Sequence, residues 1–471
     1  MLYVSTRGEA PHISFADALL AGLARDGGLY VPQRWPELAR EGIAAFKDKP
    51  YTEVAFEVIR PFVAASIKDT DLRRMIEESY ATFDHPAVAP LIELAPGEWV
   101  LELFHGPTLA FKDIAMQLLA RLMDHVLSER DERVTIVAAT SGDTGGAAVE
   151  AFRGRDRTDI VILFPKGRVS AVQRRMMTTA PEENVHAVAL EGSFDDCQAI
   201  VKALFNDHPF RDRVKLSAVN SINWARIVAQ AVYYFTAAAA LGAPARKVRF
   251  VVPTGNFGDI FAGYVASRMG LPAERLVIAT NVNDILARTL ATGRYAPQAV
   301  VATSSPAMDI QVSSNFERLL FEANGRNAKA VREAMAALAK DGKFKLADKA
   351  LAAIRARFEA GRADEEETVA TIRAVHTATG YVLDPHTAVG FAVARKRKAD
   401  AAVPTVVLAT AHPAKFPGVV EAATGARPRL PERLAGLETR RERVTTLPAS
   451  IEAVASFVAE KSRAAVAGAA A

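Results

Sequence analysis

The chain has 471 residues, of which half are apolar, 24% are charged and 7% are aromatic. That length exceeds what one hydrophobic core organises, so two or three domains are expected, and the composition excludes a disordered chain. Fifty-eight Lys and Arg against 54 Asp and Glu leave a formal charge of +4, with no basic blocks interleaved with aromatics, which argues against a nucleic-acid partner.

The N-terminus turns polar by Ser5, Thr6 and Arg7, too soon for the apolar stretch of a signal peptide. Ser14 is placed to cap a helix over 15–23, and Asp26-Gly27-Gly28 stops it. Helices are expected over 52–65 and 69–80, and 86–96 reads as a connector. Residues 1–92 are therefore expected to form an N-terminal helical domain.

From residue 97 short β-rich runs alternate with helical patterns, and the expected strands are 134–140, 160–164, 185–190, 248–254, 276–281 and 405–410. Strands alternating with helices imply a mainly parallel sheet covered on both faces. The expected domains are a smaller α/β domain over 93–245 and a larger one over 246–471 that includes a helical insertion. Residues 284–400 read as mostly helical. The apolar stretch 227–243 contains Gln230 and Thr236 and much Ala, and reads as a buried helix rather than a membrane span.

Lys112 ends the run His105-Gly106-Pro107-Thr108-Leu109-Ala110-Phe111-Lys112 and opens an amphipathic helix with Ile114, Leu118, Leu122 and Val126 on its apolar stripe. A cation at a helix N-terminus is disfavoured by the macrodipole, and the preceding Leu-Ala-Phe suggests apolar surroundings. Both effects push the ammonium toward the neutral amine that makes a Schiff base. A lysine whose tip reaches solvent, offset by Asp113, explains the same residue taken alone.

The strand 134–140 empties into Ser141-Gly142-Asp143-Thr144-Gly145-Gly146 before an Ala-rich helix. A loop of small residues at a helix N-terminus presents backbone N–H groups and hydroxyls to an anion. The strand 248–252 leads in the same way into Pro253-Thr254-Gly255-Asn256-Phe257-Gly258-Asp259. Its glycines match neither the dinucleotide fingerprint nor a P-loop. Either loop alone could be a tight βα turn; two in one α/β chain point to a ligand at the carboxyl ends of the strands. Cys197 is the single cysteine, which rules out an intramolecular disulfide or a cysteine zinc cluster and fits a reducing cytoplasm. His105, His386 and His412 lack zinc-ligand spacing, so no metal is expected.

Taken together, these segments resemble threonine synthase. The resemblance rests on 105–113, on Ser141 to Gly145, on Ser221-Ile222-Asn223-Trp224-Ala225-Arg226, on Gly255 to Asp259 and on Thr410-Ala411-His412-Pro413-Ala414-Lys415-Phe416. Thr6-Arg7-Gly8 and 26–32 extend it to the N-terminus. It implies a fold type II pyridoxal-phosphate enzyme of the α/β class, with two open, mainly parallel α/β domains. Lys112 would hold pyridoxal 5'-phosphate covalently, and Gly255, Asn256, Phe257, Gly258 and Asp259 would hold its phosphate. Thr410 would face the pyridine nitrogen. Ser141, Gly142, Asp143 (through its N–H) and Thr144 would take the substrate carboxylate. Asn223 and Arg226 would take the leaving phosphate, with Lys166 and Arg168 as weaker candidates.

The reaction so implied is that of a carbon–oxygen lyase acting on phosphates: O-phospho-L-homoserine and water give L-threonine and phosphate, the last step of threonine biosynthesis. The partner is a small molecule, with no membrane, and the protein is expected to be a monomer or homodimer. A phospho-lyase giving 2-oxobutyrate, a serine or threonine dehydratase of the same fold, and a cofactor-binding protein without turnover remain the alternatives. Asp143 stands where β-replacing relatives of the fold carry Asn, which leaves the partner of the cofactor's phenolic oxygen open.

Overall fold

The structure is a computed structural model, and it describes residues 1–140, 142–397, 400 and 402–465. The chain divides into two compact units. The first comprises 1–18, 23–111 and 221–429, and the second 19–22, 112–220 and 430–471.

The first unit is built on a six-stranded sheet. Its spatial order is Phe358–Arg362, Ala273–Thr280, Val248–Pro253, Thr405–Ala409, Glu98–Glu102 and Leu91–Ala95. All neighbours are parallel except the last pair, a hairpin that turns at Pro96-Gly97. The apolar run Phe250, Val251 and Val252 is fully buried, as a parallel strand covered on both faces requires. The chain builds outward from Val248–Pro253 in one direction, then returns to place Thr405–Ala409 on its other side. The order therefore reverses between these two strands, and their carboxyl ends form the crevice where open α/β sheets bind ligands.

The second unit holds a five-stranded, all-parallel sheet in the order Thr445–Pro448, Val185–Glu191, Thr158–Pro165, Val134–Ala139 and Leu216–Ser217. Thr158–Pro165 is central and buried at every position. Here the order reverses between Val134–Ala139 and Leu216–Ser217, which again marks the loop after Val134–Ala139.

The helices expected over 15–23, 52–65 and 69–80 form as Phe15–Ala21, Tyr51–Val63 and Asp69–Tyr80. Ser14 caps the first, its Oγ accepting the Asp17 N–H at 3.2 Å. The six expected strands all form. The N-terminal region is not wholly helical, because Tyr3–Ser5 pairs antiparallel with Tyr30–Pro32. The Thr6-Arg7-Gly8 and Asp26-Gly27-Gly28 signatures serve this strand pair: Asp26 accepts the Gly28 N–H at 2.9 Å, and a Cβ on Gly28 would collide with Ser5 Oγ. The expected connector over 86–96 contains a strand, and 284–400 holds an irregular stretch between Tyr295 and Phe316.

The division into compact units does not fall at 92/93 and 245/246. Helix Trp224–Ala240 packs on Tyr51–Val63 and on Gly258–Arg268, so it joins the first unit, and Thr445–Pro448 adds an edge strand to the second.

Candidate active site

Three adjacent parallel strands of the first unit, Val248–Pro253, Thr405–Ala409 and Glu98–Glu102, run into three of the motifs at their carboxyl ends. After Glu98–Glu102 the segment 103–111 is zipped onto 409–415. Leu103 N–H donates to the Ala409 carbonyl at 3.0 Å, Phe111 N–H to the Thr410 carbonyl at 2.9 Å and His412 N–H to the Leu109 carbonyl at 3.0 Å. Lys415 Nζ reaches the Thr108 carbonyl at 2.8 Å, across 307 positions of sequence. Two distant motifs thus hold one another, and the backbone just before Lys112 is fixed by that of Thr410.

The loop after Val248–Pro253 is pinned from one side. Ser313 Oγ donates to the Gly255 carbonyl at 2.7 Å, and Asn315 N–H donates to the Asn256 carbonyl at 3.1 Å. In a planar trans peptide the N–H points opposite the C=O. The N–H groups of Asn256 and Phe257 therefore face away from 313–315. Phe257 adopts φ +66°, uncommon for a bulky residue, and its ring is locked between Phe316 and Phe358. Gly258 then opens helix Gly258–Arg268. A Cβ on Gly255 would lie 2.6 Å from the Ala307 carbonyl, so glycine is what lets the loop lie this close. Successive outward N–H groups at a helix N-terminus make a cradle for a phosphate, and the loop fits the phosphate of pyridoxal phosphate.

Asn223 is the N-cap of helix Trp224–Ala240, its Oδ1 accepting the Ala225 N–H at 3.1 Å, so the acceptor end of its amide faces the helix and the donor end is the one suited to an anion. Arg226 lies in the first turn of the same helix and is 2% exposed. Burial pulls its guanidinium down to about 10, and the Asp259 carboxylate acts against that fall. The residues assigned from sequence to two different phosphates are thus electrostatic partners.

Sequence reasoning missed the residues that brace this site. Arg318 is fully buried and donates to the carbonyls of Tyr30 at 3.0 Å and Ile222 at 2.6 Å, and to Asn315. Ser313, Asn315 and Arg318 fall in a stretch read as helical. The polar run Ser313-Ser314-Asn315 before apolar Phe316 was the available signal for a loop and helix start.

In the second unit Lys112 is the first residue of helix Lys112–Glu129, and its side chain is buried. Its Nζ lies 3.6 Å from Asp143 Oδ2. Asp143 opens helix Asp143–Phe152, and Gln173 Nε2 donates to its Oδ1 at 2.9 Å. The expectation that Asp143 serves through its N–H is incomplete, because its carboxylate faces the lysine. The Gly142 and Gly145 N–H groups both donate to Thr140 Oγ1, at 3.0 and 2.9 Å, so Gly142 is engaged within its own loop. Thr144 is partly exposed, and Ser141 lies outside the described residues. Lys166 pairs with Glu191 at 3.0 Å on the surface.

The three histidines have hydrogen-bonding roles. His105 sits between Asp84 (3.2 Å) and Glu102 (2.7 Å). His386 faces Asp384 with Nδ1 and accepts the Ala307 N–H with Nε2. His412 accepts the Ala414 N–H.

The sequence matches three family models: "Threonine synthase N terminus" over 2–80, "Pyridoxal-phosphate dependent enzyme" over 83–361 and "Threonine synthase, C-terminal" over 387–458. It is 55% identical to a threonine synthase of Pseudomonas aeruginosa over 461 residues, covering 98% of each chain. The chain belongs to the threonine synthase family. Its structure matches the pyridoxal-phosphate-bound threonine synthase of Brucella melitensis at 60% identity and TM-score 0.96, covering 98% of this chain and all of that one. The yeast threonine synthase matches at 40% identity and TM-score 0.92, covering 99% of each. Membership in the threonine synthase family makes the chain a pyridoxal-phosphate-dependent lyase of amino-acid biosynthesis, with the α/β fold expected from sequence. Among the described residues no helix is long and apolar enough to cross a membrane.

Proposed function

We propose that the chain converts O-phospho-L-homoserine and water into L-threonine and phosphate, with Lys112 as both cofactor anchor and proton carrier. The strongest support is a buried amine at a helix N-terminus with the Asp143 carboxylate 3.6 Å away. Bound pyridoxal phosphate supplies an electron sink conjugated with the substrate's amino group.

Lys112 would hold that cofactor covalently, and the outward N–H groups of Asn256 and Phe257, with the N–H groups of Gly258 and Asp259 at the helix start, would hold its phosphate. Gly255 keeps the loop close-packed. Thr410 would offer the pyridine nitrogen a hydroxyl, not a carboxylate. The substrate carboxylate is taken at the N-terminus of helix Asp143–Phe152 by the Asp143 N–H and Thr144, while Gly142, its N–H given to Thr140 Oγ1, shapes the loop; Ser141, assigned to the same carboxylate from its sequence motif, lies outside the described residues. With substrate bound, Lys112 Nζ would remove the α-proton and become an ammonium. The Asp143 carboxylate stabilises that charge, so the amine can keep the proton and return it to carbon later. Asn223 and Arg226 receive the departing phosphate, and Asp259 keeps the buried guanidinium charged until the anion arrives. The β-carbon gives up a proton as the γ-carbon–oxygen bond breaks, and the γ-carbon takes up a proton to become the methyl group. Water adds its hydroxyl at the β-carbon and its remaining proton goes to the phosphate, and Lys112 returns the α-proton.

The thiol of Cys197 is buried and outside any disulfide, which suits a reducing cytoplasm as the place of work. Incubation with O-phospho-L-homoserine tests the reading: threonine and phosphate in equal amounts support it, whereas 2-oxobutyrate with ammonia would replace it by the phospho-lyase reaction.

A further inference from the structure

We propose that Gln173 is a positioning residue for the reaction, holding the Asp143 carboxylate turned toward Lys112. The inference rests on Lys112 being the amine that serves the reaction. The carboxylate has one of these side chains at each oxygen: Oδ1 accepts from Gln173 Nε2 at 2.9 Å, and Oδ2 faces Lys112 Nζ at 3.6 Å. Gln173, Asp143 and Lys112 are 5%, 7% and 8% exposed, so water does little to screen the arrangement.

The orientation of the Gln173 amide is not arbitrary. Gln173 is the third residue of helix Ala171–Thr178 and forms a capping box with Ser170. Ser170 Oγ accepts the Gln173 N–H at 3.2 Å, and Gln173 Oε1 accepts the Ser170 N–H at 3.3 Å. With the oxygen committed to a backbone donor, the NH2 group is left to face the carboxylate. The flipped amide would set N–H against N–H at Ser170 and oxygen against oxygen at Asp143. A helix cap thereby fixes which end of the amide meets Asp143.

The loop makes room for this contact. Gly142 has φ +149°, and a Cβ on it would collide with the Gln173 side-chain amide. The glycine of the Ser-Gly-Asp motif is therefore required by the passage of Gln173 over the backbone to reach the next residue, as well as by its own dihedral. Among the described residues the Asp143 carboxylate lies 3.6 Å from Lys112 Nζ, Asp113 follows Lys112 on its own helix, and Gln173 touches Asp143.

The test is the pH dependence of Lys112 acetylation in the full-length chain freed of cofactor, read by mass spectrometry. Asp143→Asn removes the counter-charge, and the pH at which Lys112 becomes reactive is expected to fall by about 1–3 units. Gln173→Met conserves volume but removes the donor, so it is expected to shift the profile the same way. In the Asp143→Asn background it should add nothing, because its effect passes through Asp143. Ser170→Ala damages the same helix cap while keeping the Gln173–Asp143 contact, and should leave the profile in place. A Gln173→Met profile equal to wild type, or a Ser170→Ala shift as large as that of Gln173→Met, overturns the inference. Neither outcome touches the assignment of Lys112, which fails if Lys112→Ala still turns over substrate.

Discussion

Lys112 Nζ and Asp143 Oδ2 lie 3.6 Å apart, each at the first position of its own helix. Both helices direct positive N-terminal ends at the pair, which opposes the ammonium and favours the carboxylate. The pair thus sets a charged lysine against a dipole that would discharge it. A carboxylate here is suited to an amine that must pick up a proton and later release it. Replacing Asp143 by Asn keeps the shape and removes the charge. An opposite charge within about 4–6 Å shifts a pKa by about 1–3 units, roughly 1.4–4 kcal/mol, so kcat should fall roughly 10- to 1000-fold. Borohydride should still fix cofactor to the variant. A kcat within about twofold of wild type, well below what a nearby opposite charge does, would remove Asp143 from the proton-carrying machinery.

Arg226 is assigned to the substrate's phosphate and Asp259 to keeping it charged. Arg226→Gln should raise KM for O-phospho-L-homoserine about 10- to 150-fold, the worth of one charge-assisted contact, with the visible spectrum of bound cofactor unchanged. Because the change leaves Asp259 buried beside a neutral partner, the Arg226→Gln/Asp259→Asn double variant should recover part of the lost thermal stability. Loss of cofactor from Arg226→Gln would move the arginine to the other phosphate.

Gly255 packs where a methyl group would meet the Ala307 carbonyl at 2.6 Å. Gly255→Ala must push the loop off its supports at Ser313 and Asn315. Overpacking of this kind costs about 1–3 kcal/mol, so the affinity for pyridoxal phosphate should drop roughly 5- to 150-fold in equilibrium dialysis. Unchanged affinity would show that the loop does not hold the phosphate.

Glu102 ends a strand just before the lysine motif and accepts from Tyr381 at 2.7 Å and pairs with His105 at 2.7 Å. Burial raises its pKa, but the hydrogen bonds from His105 and Tyr381 outweigh burial and hold it below the ordinary 4.5. A carboxylate depressed by folding adds stability above its unfolded pKa and loses it as pH falls through the folded value. Wild-type melting temperature should therefore decline below about pH 4.5, and Glu102→Gln should flatten that acid limb. Parallel limbs for the two proteins would contradict the assigned network.

Much of this was legible in the sequence, and what was not has physical reasons. The parallel strands are buried apolar runs, and glycine loops announce where they end, so 134–140 and 248–259 could be placed from residue type alone. The Tyr3–Ser5 and Leu91–Ala95 strands were hidden because strands of three to five residues leave almost no periodicity. Asp143 was read for its N–H and not its carboxylate because only tertiary structure brings Lys112 within reach. Gln173 and Arg318 gave no signal as partners of distant backbone and side chains: a buried polar residue inside a helical pattern looks like any other polar residue until its partner is known.

Every catalytic role given to this chain depends on Lys112 being the amine bonded to the cofactor. Borohydride reduction of the holoenzyme, followed by digestion and mass spectrometry, decides it. A single pyridoxyl-modified peptide carrying the label on Lys112 is expected, with no visible cofactor band and no turnover in Lys112→Ala. A label on another lysine, or a Lys112→Ala variant that still makes threonine, would contradict it.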